Sequence, residues 1–183
     1  MNSTIKLISM HRLEPEKGWS LIIDRLSSPQ TKNRFKTGRI IYDIYGQGSM
    51  RSIVLETIKH IPQGVSYHGQ VALKSILSIL PEYDYLLMPS QFLETFGLTA
   101  LDAASCGVPT IGFAKGGLSQ FILPELDITK QPGKTESEQF TSLMRSVIDG
   151  PLSNKPPRID KKTIKTIYGS NYWLDTFISL CNA

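Results

Sequence analysis

The chain reads as an α/β protein with a doubly wound parallel sheet and helices on both faces, and three observations carry that reading. Short apolar runs rich in β-branched and aromatic residues alternate with stretches of helical periodicity. Prolines punctuate the helical stretches, with Pro62, Pro81 and Pro109 at their ends. The 183 residues, 40% hydrophobic and 20% charged, are enough for one domain with a buried core and exclude a disordered tail.

Taken in order, the first strand is expected at residues 4–10, where TIKLISM is mostly apolar. Trp19, Ile22, Ile23 and Leu26 then fall at i, i+3, i+4 and i+7, which predicts a helix over 16–27 with one apolar stripe against a sheet. Pro29 and the polar stretch QTKNRFKTG are expected to end it. Further strands are predicted at 39–45, 64–68, 83–88 and 108–113, with a weaker one at 126–128; lengths of five or six residues are ordinary. Helices are predicted between them at 50–59, 73–79 and 97–106. After Lys134, Thr135 and Glu138 have capping-box spacing, and Phe140, Leu143, Met144, Val147 and Ile148 follow a strict helical stripe. Residues 151–160, PLSNKPPRID, form a proline-rich connector to a terminal helical region over 161–181. Its Trp173, Leu174, Phe177, Ile178, Leu180 and Cys181 spread apolar groups over more than one face, so it calls for two packing partners.

Composition narrows the functional classes. Twenty Lys and Arg against sixteen Asp and Glu give a net charge of +4, a mild preference for anions that a solvated surface also explains, and no nucleic-acid partner is expected. No apolar run reaches the ~18 residues of a membrane span, and MNSTIKLISM lacks a secretory leader pattern. A cytoplasmic protein is expected, with peripheral membrane association left open. Cys106 and Cys181 form no CxxC pattern, so neither a zinc site nor a disulfide framework is indicated, and both read as reduced and buried. No metal or cofactor is expected.

Ligands of such sheets bind beyond the carboxyl ends of the strands, so the loops that follow them are read for chemistry. After the first strand, HRLEPEKG places Arg12 and Lys17 around a loop that opens a helix. Two cations with the free N–H groups of a helix start suit a phosphate; solvated surface cations are the alternative. His11 reads as a packing or loop residue. After the second strand, YGQGSM carries Gly46 and Gly48 into a helix, as close backbone approach to a nucleotide requires, but Arg51 occupies the third glycine position of a GxGxxG pattern and a tight turn is the simpler reading. His68 and Gly69 end the third strand, where a histidine is commonly a surface hydrogen-bonding group.

The fourth loop, MPSQFLETFGLTALDAASCGVPT over 88–110, is the most informative. Glu94 stands at the mouth of a helix begun at Gly97 and Leu98, where a carboxylate can accept from hydroxyls while the amides of Phe96, Gly97 and Leu98 face an anion. Asp102 follows a little over one turn into the helix, within reach of a neighbouring hydroxyl. Helix capping and dipole compensation are the alternative for both acids. Carboxylates reading vicinal hydroxyls beside a phosphate cradle describe a nucleotide-sugar site.

These segments together resemble the C-terminal, donor-binding domain of retaining glycosyltransferases with the GT-B fold, a Rossmann-like half-domain. The match runs through HRLEPEKGWSLIIDRL, YDIYGQGSM, VSYHGQV and YDYLLMPSQFLETFGLTALDAASCGVPTIGFAKGGLSQFI, in the family's order over about residues 5–122. The resemblance implies that Arg12 and Lys17 hold a donor diphosphate, and that Glu94 with the Phe96, Gly97 and Leu98 amides binds the sugar and phosphate. It implies ribose contacts from Asp102, close approach at Gly46 and Gly48, and a base near the backbone of His68, Gly69 and Val71. The implied donor is a UDP-, GDP- or ADP-sugar, and the implied acceptor a carbohydrate, lipid or protein that the sequence does not specify. Two positions depart from the pattern: Asp102 replaces the second glutamate of a Glu-x7-Glu pair, and Gln120 stands where a glutamate is common. The family also uses a second, acceptor-binding domain that these 183 residues do not contain. The expectation is therefore one domain over 1–183 that forms the donor half of an enzyme, the other half being separate or deleted, with a non-catalytic nucleotide-sugar-binding module as the alternative.

Overall fold

A computed structural model describes residues 4–61, 63–150 and, near the C-terminus, 157, 159, 160, 162 and 164. The connector expected at 151–160 and the terminal helix at 161–181, with its Trp173, Phe177 and Cys181, lie almost entirely outside the described residues.

Five parallel strands form one sheet in the order β3-β2-β1-β4-β5. The first strand, β1 (Ile5–Met10), pairs along its full length with β2 (Ile40–Tyr45), Ile5 opposite Ile40 and Met10 opposite Tyr45. Its other edge meets β4 (Tyr85–Leu87), while β3 (Val65–Gly69) flanks β2 and β5 (Thr110–Ile111) flanks β4. The chain thus builds outward from β1 to β3, then returns to the opposite side of β1. The boundary between β1 and β4 is the point where strand order reverses, and a crevice opens there at the carboxyl ends. Core strands buried on both faces read as continuous apolar runs, and Leu7, Ile8, Ile44, Tyr85 and Leu86 are almost wholly inaccessible.

Helix α1 (Trp19–Ser27) follows a single 3-10 turn at Pro15–Lys17, which shortens the helix expected from residue 16. Its buried residues are Trp19, Leu21, Ile22 and Leu26, while Ile23, expected in the stripe, is only partly covered. Pro29 does not end helical structure. It begins α2 (Pro29–Lys36) at the first helical position, where its missing N–H has no intrahelical role, and Ser28 caps the new helix by accepting from the Thr31 amide at 3.3 Å. Further helices are α3 (Arg51–Lys59), α4 (Leu73–Ile79), α5 (Leu98–Ser105) and α6 (Glu136–Asp149).

The capping box of α6 is present, with Thr135 accepting from the Glu138 amide and Glu138 from the Thr135 amide, and all five residues of its predicted stripe are buried. The β4 and β5 strands are shorter than the apolar runs that predict them, because Leu86 and Leu87 alone pair with Thr110 and Ile111. The strand expected at 126–128 reduces to one bridge between Gly112 and Asp127 flanked by 3-10 turns. The Asp127 carboxylate accepts from the Ala114 and Thr129 amides, which fixes the turn instead of a ladder. Cys106 is a free thiol and half-buried, more open than expected.

Candidate functional site

A cleft of about 830 Å³ opens at the carboxyl ends of β1, β2 and β4. The loop after β1 forms one wall. It is anchored by Trp19, whose indole N–H donates to the Arg12 carbonyl at 2.9 Å, and by His11, whose ring contacts the Arg12 and Leu87 carbonyls at 3.2 Å each. His11 is buried, and burial above all holds its imidazole at about 4, well below the ordinary 6.5, with the Lys17 charge adding to that effect. A neutral imidazole therefore sits in the cleft wall at neutral pH.

Lys17 and Glu94, 77 residues apart in the chain, meet inside the cleft, Nζ to Oε1 at 2.5 Å, with side chains only 11% and 14% exposed. Ser90 donates to the same carboxylate oxygen at 2.8 Å. Burial alone would raise the Glu94 pKa, but the hydrogen bonds from Lys17 and Ser90 and the Lys17 charge outweigh it, so the carboxylate stays ionised below its usual range. Arg12 is different: its side chain is 67% exposed and reaches Glu16 at 3.4 Å on the rim. An exposed pair of that kind restrains the side chain little.

The start of α5 borders the same cleft. Gly97 is its N-cap, in a left-handed conformation (φ 83°) that favours glycine, and no side chain caps the helix. No acid lies in the first turn, so the Leu98 and Thr99 amides at the positive helix end border the cleft beside Lys17. The loop that carries Glu94 is braced from behind by Gly117, whose amide donates to the Glu94 carbonyl at 2.7 Å.

Gly46 and Gly48 line the cleft, but the space their missing side chains vacate is taken by this chain. A Cβ on Gly46 would meet the His11 carbonyl at 2.3 Å, and one on Gly48 the Leu13 carbonyl at 2.3 Å. Their first role is close packing of the β2 loop on the β1 loop, reinforced by the Leu13 amide donating to Gln47 and the Met50 amide to Leu13. Arg51, at the third glycine position, opens α3 and reaches the Tyr67 hydroxyl at 3.3 Å.

Nine of the twelve residues singled out from sequence line this one cleft: Arg12, Lys17, Gly46, Gly48, Val71, Glu94, Phe96, Gly97 and Leu98. His68, Gly69 and Asp102 do not. His68 stacks on Tyr45 with ring centroids 4.5 Å apart and meets the Asp43 carboxylate at 2.6 Å, while the Gly69 carbonyl accepts from Gly46. Asp102 lies along α5, half-buried, where burial raises its pKa. His11, expected as a packing or loop residue, is buried against loop carbonyls and also lines the cleft, whereas Ser90 and Tyr45 are not singled out by the sequence. The signal for Ser90 was its place four residues before Glu94; nothing in the sequence said that Tyr45 would line the cleft. Among the described residues no group of His, Cys, Asp or Glu converges as metal ligands, and no helix is long and apolar enough to cross a membrane.

The family model described as "Glycosyl transferases group 1" matches residues 2–166. A GDP-mannose-dependent monoacylated alpha-(1-6)-phosphatidylinositol monomannoside mannosyltransferase of Corynebacterium glutamicum is 23% identical over 77% of this chain and 37% of its own length. A glycogen synthase of Mycobacterium tuberculosis is 27% identical over 81% of this chain and 35% of its own. The chain thus spans little more than a third of these relatives. Among solved structures, Anabaena HepE in complex with UDP-glucose is similar over 99% of this chain and 50% of its own (TM-score 0.69, 15% identity). A sucrose-phosphate synthase from Thermosynechococcus elongatus is similar over all of this chain and 46% of its own (TM-score 0.73, 16% identity). These likenesses establish the fold.

Proposed function

Given that the chain belongs to the glycosyl transferases group 1 family, we propose that its cleft binds the nucleotide-diphosphate sugar used by a retaining glycosyltransferase. The observation that carries this reading is the meeting of Lys17 and Glu94 beside the uncapped start of α5, at the reversal of strand order. Lys17 and the Leu98 and Thr99 amides supply positive charge for a diphosphate, while the ionised Glu94 accepts hydrogen bonds from sugar hydroxyls. Arg12, on the rim, swings from Glu16 to the same phosphates. When the anomeric bond breaks, negative charge grows on the departing diphosphate, and donors already in place stabilise it without reorganising.

The acceptor-binding half, on the same polypeptide or a separate one, presents a hydroxyl whose oxygen bonds to the anomeric carbon on the face the diphosphate leaves, the departing phosphate taking its proton, so the anomeric configuration is retained. The Corynebacterium relative is by its name GDP-mannose-dependent and HepE was solved with UDP-glucose, so either uridine or guanosine is a reasonable base. His68 and Gly69 serve by holding Tyr45 and the Gly46 loop in place. A ribose contact from Asp102 requires an intervening water.

Titration of the chain with UDP, GDP, ADP and their sugars tests this reading, and absence of binding at millimolar concentration to all of them refutes it. Lys17→Ala should weaken diphosphates by about 1.5–3 kcal/mol, the range for a charged hydrogen bond, and leave nucleosides nearly unchanged. Equal losses for both would place the phosphates elsewhere.

A further inference from the structure

A second polar groove, of about 650 Å³, runs between the end of α1, the start of α2 and the outer face of α6. Lys17, just before α1, faces the donor cleft, and α2, just after it, leads back into β2; the groove therefore lies toward the opposite end of the sheet. Arg25, Arg34 and Arg145 border it, and Ser137, Thr141 and Arg145 recur at four-residue spacing along one stripe of α6. The bordering carboxylates are Asp24 and Asp149. Arg34 holds Asp149 at 3.0 Å. Arg25 and Arg145 make no ion pair with a described residue, and the buried Arg25 Nε has no acceptor among them. Arg25 also borders an apolar hollow lined by Ile22, Leu26 and Phe35, so packing holds its guanidinium at the groove.

We infer that this groove binds a phosphate group, with Arg25 and Arg145 as its cationic donors and the Ser137 and Thr141 hydroxyls beside them. Guanidinium groups match phosphate oxygens in geometry as well as charge. Burial, and next the Arg145 charge, lower the Arg25 pKa against the pull of Asp149, a repulsion that a bound anion relieves. Both a soluble phosphate and a lipid headgroup offer this chemistry.

The full chain, labelled for amide NMR, is titrated with sodium phosphate against sodium chloride of equal ionic strength, and floated with phosphatidylcholine vesicles with and without phosphatidylglycerol. Saturable shifts are expected at the end of α1 and along α6. Arg145→Gln, at an exposed position, should weaken binding roughly tenfold or more, and Arg25→Gln similarly, while Lys17→Ala leaves the response at this groove unchanged. Sensitivity to Arg145→Gln in the soluble titration assigns a free phosphate; the same sensitivity in flotation alone assigns a headgroup. The inference is overturned if neither probe gives a saturable response, or if the response survives Arg145→Gln in a protein with native circular dichroism.

Discussion

At the residue scale, two side chains in the cleft wall have charge states set by their surroundings. Glu94 stays ionised because Lys17 and Ser90 contact one of its oxygens inside a shielded cleft. Glu94→Gln removes the charge and keeps the shape, and should weaken nucleotide sugars while leaving free nucleoside diphosphates nearly unaffected, as isothermal titration would show. His11 is held neutral, its pKa about 4 instead of 6.5. Between those values the unfolded chain takes up a proton that the folded chain refuses, so folding stability is complete above about pH 6.5 and falls as pH drops toward 4, by about 3 kcal/mol at the limit. Urea unfolding midpoints at pH 7.5 and 5 measure this, and His11→Gln should flatten the difference. An unchanged slope in that variant would assign the acid sensitivity to another group.

At the element scale, helix ends decide both stability and chemistry. The α6 start is closed by reciprocal side-chain bonds, and Thr135→Ala should cost about 1 kcal/mol in chemical denaturation with no effect on nucleotide affinity. The α5 start is left open, and that is where an anion can be received. Gly97→Ala forces a Cβ into a left-handed conformation and within 2.7 Å of Leu118 Cδ2. A penalty of at least ~1–2 kcal/mol from the conformation alone is expected, with loss of diphosphate affinity as the first turn shifts. Full affinity in that variant would show that the α5 amides do not hold the phosphates. The two helices also show where pattern reading succeeds. The Thr135 to Ile148 stretch combines cap and stripe in one local segment and was predicted nearly residue for residue. Pro29 was misread because a proline that stops one helix is equally suited to begin the next, and only the Ser28 cap and the packing of Phe35 decide between them.

At the scale of the whole molecule, a ligand that binds only the folded cleft must stabilise the entire chain. At a concentration a hundred times its Kd, the tightest-binding nucleoside diphosphate should add about 2.7 kcal/mol, which for a chain of this size is a rise in Tm of roughly 5–10 °C by differential scanning calorimetry. A flat Tm at saturation would contradict a folded binding cleft. The alternation of apolar runs with helical stripes determined by itself the α/β class, the five strands, every helix but α2 and which loops carry unusual residues, because periodicity and capping act over a few residues and are written locally. Tertiary structure alone decided the rest. It placed Lys17 against Glu94 across 77 residues, drew His11 into the cleft wall, turned Gly46 and Gly48 toward the β1 loop, and left Asp102 along α5, outside the cleft lining. Each of these depends on strand order and on what fills the space between loops, and sheet topology is a long-range property that no local run of residues encodes.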